Sequence, residues 1–148
     1  MQFRPAKKSE YKVIAGFQQK MAKETEHLQL NTDTVLRGVQ TVFNDPSKGK
    51  YFVVEDDGKV IASLLTTYEW SDWRNSTVLW IQSVYVLESY RRKGIFKIMY
   101  ENIKEIVKNS SDYSGIRLYV DKTNVIAQMV YNNLGMEGEH YKLYEDMQ

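Results

Sequence analysis

The order of hydrophobic and polar positions divides the first third of the chain into a short strand and two helices. Pro5 ends an extended run that begins at Phe3. Ser9 can cap a first helix, whose apolar face is predicted to carry Ile14, Phe17 and Met21. A second helix is predicted to begin near Thr32 and to end at the segment NDPSKG. Its apolar stripe is Val35, Leu36, Val39, Val42 and Phe43.

The middle of the chain predicts three strands. The runs YFVVE (51–55) and KVIASLLTTYEW (59–70) are joined by DDG (56–58), which is a hairpin signal. The run TVLWIQSVYV (77–86) is apolar at nearly every position, which is typical of a central strand covered on both faces. Residues 71–76, SDWRNS, are predicted to form a loop.

The last third predicts two more helices, each followed by a strand. The first helix has its apolar positions at Ile95, Ile98, Met99, Ile103, Ile106 and Val107. GIRLYV (115–120) alternates as a strand, and HYKLYED (140–146) is a candidate last strand. Between them a helix begins at Asn124 and stops at Gly135. Its inward positions are predicted to be Val125, Ile126, Met129, Val130 and Leu134.

These elements predict a single-domain fold of the α/β (α+β) class over residues 1–148. The order is β-α-α-β-β-β-α-β-α-β, with a mixed sheet flanked by helices on both faces. The strand-helix-strand run in the second half implies a right-handed crossover and local parallel pairing. A length of 148 residues suits one domain with a real core.

Composition excludes several classes of site. The chain has no cysteine, so disulfides, thiolate metal sites and a cysteine nucleophile are ruled out. No His/Asp/Glu arrangement suggests a metal site. The net charge of +1 provides no global field for nucleic acid, so any anion site must be local. The absence of a long apolar run and of an apolar leader predicts a cytoplasmic protein with no membrane association.

A local anion site is suggested where the strand 77–86 meets the next helix. Three consecutive cations and a glycine stand at the helix start, and Lys97 follows one turn later. A helix start offers unpaired N–H groups and a partial positive charge, and glycine allows close approach of a ligand. The alternative is a solvated basic turn. The sequence contains neither G-x-x-x-x-G-K-[ST] nor G-x-G-x-x-G, so the common nucleotide loops are not indicated.

The segment VYVLESYRRKGIFK resembles the acetyl-CoA site of the GCN5-related N-acetyltransferases, the GNAT family. The family signature [R/Q]-x-x-G-x-[G/A] falls on residues 91–96, with Phe96 in place of the small last residue. The segment NVIAQMVYNNLGM matches a second family pattern, N-x-x-A-x-x-x-Y-x-x-x-G-[F/M]. That pattern is carried by Asn124, Ala127, Tyr131, Gly135 and Met136. The opening FRPA is also similar to the family's first strand, so the resemblance covers nearly the whole chain.

The resemblance implies a splayed sheet that binds acetyl-CoA and a small-molecule amine acceptor. The central strand would offer backbone groups of Val84, Tyr85 and Val86 to the pantetheine arm. The diphosphate site would be formed by Arg91, Arg92, Lys93, Gly94, Ile95, Phe96 and Lys97. Asn124 would contact the cofactor near its thiol, and Tyr131 would lie beside the sulfur. The family resemblance also implies a homodimer.

Acetyl transfer requires a proton donor for the leaving thiolate. A phenol with a pKa of about 10 is protonated at neutral pH, and this makes Tyr131 the candidate general acid. Outside the family context, a packed tyrosine on an apolar helix face is the favoured interpretation of Tyr131. The N–H of Val84 is the candidate donor to the oxyanion.

The general base is less well defined by the sequence. The stretch TTYEWSDW…LWIQSVYV is similar to the spermidine/spermine acetyltransferases, which carry a glutamate where this chain has Gln82. Glutamine cannot accept the proton, although it could order a water. The acidic candidates are Glu24, Glu26, Glu69 and Asp72, each of which could also be a solvated surface acid.

The segment YEWSDWRN is unusual for a polar loop because it holds several aromatic rings. Together with Glu24, its residues Tyr68, Trp70, Asp72 and Trp73 are predicted to bind a cationic amine by charge and cation–π contact. The alternative is that the rings cover a sheet edge or a dimer interface.

The sequence therefore predicts an N-acetyltransferase that acts on a small amine, a polyamine, an amino-acid derivative or an aminosugar, with a protein lysine or N-terminus as an alternative acceptor. One alternative is a non-catalytic acyl-CoA sensor on the same fold, suggested by Gln82. A nucleic-acid-binding module is a third possibility, but one short basic patch at net charge +1 argues against it.

Overall fold

A computed structural model describes all 148 residues, and its centre is a five-stranded sheet. The strands are β1 (Gln2–Pro5), β2 (Lys50–Asp56), β3 (Lys59–Ser71), β4 (Ser76–Val86) and β5 (Tyr113–Arg117). They are arranged in the order β1-β2-β3-β4-β5. The first four strands pair antiparallel, whereas β4 and β5 pair parallel. The predicted mixed sheet is confirmed.

Four helices accompany the sheet: α1 (Tyr11–Glu26), α2 (Thr32–Asn44), α3 (Ile95–Lys108) and α4 (Val125–Asn133). Helix α2 begins at the predicted residue because Asn31 caps it, accepting a hydrogen bond from the Thr34 N–H at 2.9 Å. Helix α1 begins later than predicted. A short 3-10 turn, Lys8–Glu10, takes up Ser9 and precedes the helix.

Alternation along the strands assigns the helices to the two faces of the sheet. Tyr51 and Val53 of β2 pack with Ile14 of α1 and Val39 of α2 in one buried cluster. The intervening Phe52 points to the opposite face, where it borders a groove that α3 also lines. We refer to these as the α1/α2 face and the α3 face. Helices on both faces of the sheet are therefore confirmed.

The turn between β2 and β3 follows the sequence prediction. Asp57 has φ 47° and Gly58 has φ 77°, so both central residues are left-handed. Such a pair matches the twist of the flanking strands, and Asp-Gly is a preferred sequence for it. The turn fixes the register that carries Lys50 opposite Thr66 at the other end of the pair.

The predicted last strand is wrong. Residues 137–148 contain no strand or helix, and Tyr141, Leu143 and Tyr144 are exposed. Alternating apolar residues do not make a strand unless a neighbour supplies backbone hydrogen bonds, and HYKLYED has no paired partner. The strand predicted at 115–120 also shifts, because pairing with β4 runs from Tyr113 to Arg117.

The predicted burial of the apolar stripe of α4 is also wrong. Val125, Ile126 and Met129 are each more than 60% exposed. The chain divides into two compact units, Met1–Arg117 and Leu118–Gln148. Within the second unit, α4 has no other helix or strand to pack against. The single domain over residues 1–148 stays a prediction. No helix has the length and apolarity needed to cross a bilayer.

An ion-pair network anchors the N-terminal strand. The Arg4 guanidinium donates to Glu10 at 2.6 Å and to Glu55 at 2.8 Å. The Lys7 N–H also donates to Glu10 at 2.8 Å. The Arg4 hydrogen bond is the main reason why the pKa of Glu10 lies below its ordinary value of 4.5. The network joins β1, the 3-10 turn and β2, so it stabilises the entry to α1.

Replacing Glu10 with glutamine should destabilise the protein more at pH 7 than at pH 3. A lowered folded-state pKa gives stability above the unfolded value of 4.5, and that stability is lost as the pH falls through the folded pKa. We expect the free energy of unfolding to fall by about 1–2 kcal/mol at pH 7. Urea titrations at both pH values test this, with the exposed Glu145→Gln as control. An equal loss at both pH values would contradict it.

Candidate active site

The connection between β4 and α3 has the backbone geometry of an anion-binding turn. Arg92 has φ 62° and Gly94 has φ 74°, so two left-handed residues flank Lys93. Turns of this kind gather N–H groups into a concave site. Helix α3 starts directly afterwards, and its first amides have no partner within the helix. We call residues 91–97 the phosphate loop.

The space above the phosphate loop is open. A Cβ built on Gly94 would meet no atom within 4 Å. Arg92, Lys93 and Lys97 are exposed, and the only carboxylate paired with one of them is Glu101, at 3.9 Å from the Lys97 ammonium. Exposed pairs of this length contribute little. The positive charge of the loop is therefore available to an anion.

Phe96, at the position where the family signature has a small residue, is directed along α3. Its ring stacks on Tyr100 one turn later, with a centroid distance of 6.2 Å. The side chain is half-buried. A large residue is therefore accommodated at this position by packing along the helix.

A bulge in β4 shapes the strand next to this loop. Leu65 pairs with Gln82 and Ser63 pairs with Tyr85, so Leu64 lies opposite both Ser83 and Val84. Ser83 takes up the extra residue with φ 52°. The bulge brings Gln82 and Tyr85 to the α1/α2 face, and it interrupts the ladder at Val84. This is the residue predicted to hold the oxyanion.

On both sides of the bulge, from Ile81 to Val86, β4 has an edge without a neighbouring strand. Its pairing with β5 ends at Trp80–Arg117, whereas β4 continues to Val86. Residues 81–86 therefore present backbone groups that an extended ligand can bind as an added strand would. The carbonyl of Val86 is an exception, because it accepts a hydrogen bond from Arg91 Nε at 2.9 Å.

Glu24, predicted to bind the acceptor, contacts Arg91 of the phosphate loop. Its carboxylate accepts hydrogen bonds from Arg91 Nη2 at 2.7 Å and from the Tyr85 hydroxyl at 3.0 Å. Burial raises the pKa of Glu24, but these hydrogen bonds outweigh burial and hold the pKa below its usual value. Burial and the Glu24 carboxylate raise the pKa of Tyr85. Glu24 is consequently ionised and a weak base at neutral pH.

Gln82 lies within a row of polar side chains on the α1/α2 face. Its Nε2 donates a short hydrogen bond to the Thr67 hydroxyl. Next in the row, Glu69 accepts from Trp80 Nε1 at 3.1 Å and from Arg117 Nη1 at 2.6 Å. The Arg117 contact is the main reason why the pKa of Glu69 is lowered. We call these five residues the polar row.

The aromatic residues predicted to wall the acceptor pocket are not brought to this row. Tyr68 and Trp70 alternate with Thr67 and Glu69 along β3, so they point to the α3 face. Tyr68 there lines a groove of about 510 Å³. Asp72 and Trp73 lie in the turn after β3, and Trp73 is 91% exposed.

Sequence reasoning missed Thr67, Trp80 and Arg117. Alternation within the predicted strands carried the signal for the first two, since residues opposite each other in an antiparallel pair share a face. Arg117 required knowledge of the parallel register. Glu26, a candidate base, is the exposed last residue of α1, and His27 after it is left-handed at φ 54°.

The second unit carries the other family motif on α4. Asn124 caps the helix, because its side-chain oxygen accepts from the Ala127 N–H at 3.1 Å. Tyr131 is half-buried, and burial raises its pKa above the ordinary value of 10.0. Left-handed Gly135, at φ 85°, ends the helix, and the Met136 N–H donates to the Tyr131 carbonyl at 3.1 Å. A phenol in this setting is protonated at neutral pH.

Comparison with known proteins identifies relatives. The family model described as the acetyltransferase (GNAT) family matches residues 15–136. A possible acetyltransferase from Clostridium difficile 630 is 44% identical, with a TM-score of 0.93. The alignment covers 99% of this chain and 97% of that protein. Comparison with the curated proteins finds no match.

More distant solved structures share the fold. A predicted acetyltransferase from Clostridium acetobutylicum, solved with acetyl-CoA, is 15% identical with a TM-score of 0.78, covering 98% of this chain and 95% of its own. An aminoglycoside N-acetyltransferase in complex with CoA is 17% identical with a TM-score of 0.79, and the alignment covers 99% of this chain and 94% of that protein.

Proposed function

Because the chain belongs to the GNAT family of acetyltransferases, we propose that it transfers an acetyl group from acetyl-CoA directly to the amine of a small molecule. The family uses acetyl-CoA. The phosphate loop is the single observation that supports this function most strongly. It combines left-handed Arg92 and Gly94, the start of α3 and exposed cations in one place.

The cofactor would bind along two features of the first unit. Its diphosphate would accept hydrogen bonds from the amides at the start of α3 and from the side chains of Arg92, Lys93 and Lys97. Its pantetheine arm would bind the open edge of β4, at Val84 and Tyr85. Asn124 would contact the cofactor near its thiol, as the family motif implies.

The transfer forms one bond and breaks another. The amine nitrogen attacks the thioester carbonyl carbon, so a C–N bond forms and the carbonyl oxygen becomes negatively charged. The N–H of Val84, which lies at the bulge, would donate to that oxygen. The carbonyl then re-forms as the C–S bond breaks, and the thiolate takes the proton of the Tyr131 hydroxyl. The proton that the attacking nitrogen loses on becoming an amide returns, through water, to the Tyr131 phenolate.

The acceptor must lose a proton before it attacks. Glu24 is a poor base because Arg91 and Tyr85 hold its pKa low. Gln82 donates to Thr67 through its amide nitrogen, which leaves its amide oxygen to accept from the amine or from a water. We infer that Gln82 orients the acceptor, while the proton leaves through water or through Glu26.

The polar row would form the floor of the acceptor site. Glu69 is paired with Arg117, so the row carries no unbalanced negative charge. A polyamine would need several uncompensated carboxylates to pair its ammonium groups. The predicted similarity to spermidine/spermine-type enzymes would suggest a polyamine. We instead favour a monoamine, such as an amino-acid derivative, over a polyamine or an aminosugar.

Thiol release tests the proposal. The purified protein should bind acetyl-CoA in a calorimetric titration and release CoA in the presence of some members of an amine panel. Binding without amine-dependent release would favour a non-catalytic acyl-CoA sensor, the alternative suggested by Gln82. Absence of binding would refute both.

A further inference from the structure

Glu24, Tyr85 and Arg91 form one contact group that joins α1 and β4 to the phosphate loop. Glu24 binds the other two through separate carboxylate oxygens, at 3.0 Å and 2.7 Å. Arg91 also donates from Nε to the carbonyl of Val86, and its guanidinium lies 5.4 Å from the centre of the Tyr85 ring. We call these three residues the Glu24 cluster.

The Glu24 cluster is anchored in the core. The Tyr85 side chain is only 5% exposed, and its ring lies against that of Phe17 in α1, with a centroid distance of 5.1 Å. The Arg91 and Glu24 side chains are about 40% exposed. An isolated ion pair at that exposure would contribute little. The Arg91 guanidinium, however, makes three contacts: it donates from Nε to the Val86 carbonyl and from Nη2 to Glu24, and it lies over the Tyr85 ring. Together these contacts fix its orientation.

The orientation of Arg91 has a consequence for the phosphate loop. Arg91 is the residue immediately before left-handed Arg92, where the turn begins. Its guanidinium is directed to the end of β4 and the last turns of α1, and its charge is balanced by Glu24. The charge available to a diphosphate therefore comes from Arg92, Lys93 and Lys97.

We propose that Glu24 and Arg91 are positioning residues, which set the conformation of the phosphate loop without contacting the diphosphate. This rests on the proposed acetyl-CoA site. Glu24, although it lies on α1, would then act on cofactor binding. Arg91, the first arginine of the signature, would orient the loop, whereas Arg92 would bind the diphosphate. Loss of either partner would release the loop and weaken cofactor binding.

Calorimetric titration with CoA at several salt concentrations tests this proposal. Glu24→Gln and Arg91→Ala should each raise the Kd of CoA about 5- to 20-fold, and the double variant should be no worse than the weaker-binding single variant. The dependence of Kd on salt should stay that of the wild-type protein. Arg92→Ala is the matched control, which should raise Kd and flatten the salt dependence because it removes a charge that contacts the ligand.

Arg91→Lys separates charge from orientation. Lysine keeps the charge but cannot hold Glu24 and the Val86 carbonyl through one planar fork. We expect it to bind CoA as weakly as Arg91→Ala. Affinity restored by lysine, or a flattened salt dependence in Arg91→Ala, would show that Arg91 binds the diphosphate directly and would overturn the proposal.

Tyr85→Phe gives a second measurement that does not depend on altered charge. It removes one hydrogen bond to Glu24 and keeps the ring packed on Phe17, so it should raise Kd by a smaller factor, about twofold. Urea titration of every variant identifies loss of folding. Wild-type affinity in both Glu24→Gln and Tyr85→Phe would overturn the positioning role alone. Failure of the wild-type protein to bind CoA would refute the proposed function itself.

Discussion

Replacing Tyr131 with phenylalanine should lower kcat about 100- to 10,000-fold, the usual contribution of a positioned general acid. The substitution removes one hydroxyl and keeps the ring. Burial raises the pKa of Tyr131 above 10.0, so the phenol carries its proton at neutral pH and can give it to a departing thiolate. Without it, the leaving group departs as an anion or takes its proton from water.

Cofactor affinity separates this role from a structural one. The Kd of acetyl-CoA for Tyr131→Phe should stay within about tenfold of the wild-type value, because the ring is kept and a single hydrogen bond to the cofactor would contribute about 0.5–1.5 kcal/mol. Steady-state rates with a saturating amine and calorimetric titration measure the two quantities. Tyr144→Phe, in the same unit and 88% exposed, is the matched control. Undiminished turnover in Tyr131→Phe would assign the acid to another group.

The order of the first nine elements could be predicted from the sequence because each carries a local signal. The turn at Asp57 and Gly58 shows the preferred sequence for two left-handed residues. The cap at Asn31 precedes an amphipathic run. The predicted last strand is wrong because strand pairing depends on a non-local partner. Alternation in residues 140–146 does not specify such a partner.

The site was predictable where short motifs carry it and not where the sheet builds it. Gly94 and Arg92 lie in a signature whose geometry is local, and both take the left-handed conformation. Glu24 meets Arg91 only because α1 crosses the end of β4, a contact 67 residues apart in the chain. The prediction that Trp70 lines the acceptor pocket rests on the aromatic and acidic residues of the segment YEWSDWRN. The face of the sheet on which a side chain lies depends on strand register, which the residue types of a segment do not specify.

A glycine outside every motif illustrates the same limit. Gly49 precedes β2 with φ 155°, and a Cβ there would lie 2.6 Å from the carbonyl oxygen of Thr66 and 2.9 Å from Leu65 Cδ1. The leucine tip could move. The carbonyl belongs to β3 at the position that pairs with Lys50, so moving it would disturb the sheet.

Gly49→Ala should therefore lower the free energy of unfolding by about 3 kcal/mol or more, which combines a strained backbone with a forced contact. Gly58→Ala is the matched control. It is also left-handed, at φ 77°, but a Cβ there meets nothing within 4 Å. Gly58→Ala should lower the free energy of unfolding only by the strain of a left-handed alanine, about 1–2 kcal/mol. Guanidinium titrations measure both. If Gly58→Ala proved the more damaging of the two, the close approach of Gly49 to β3 would not be what requires glycine there.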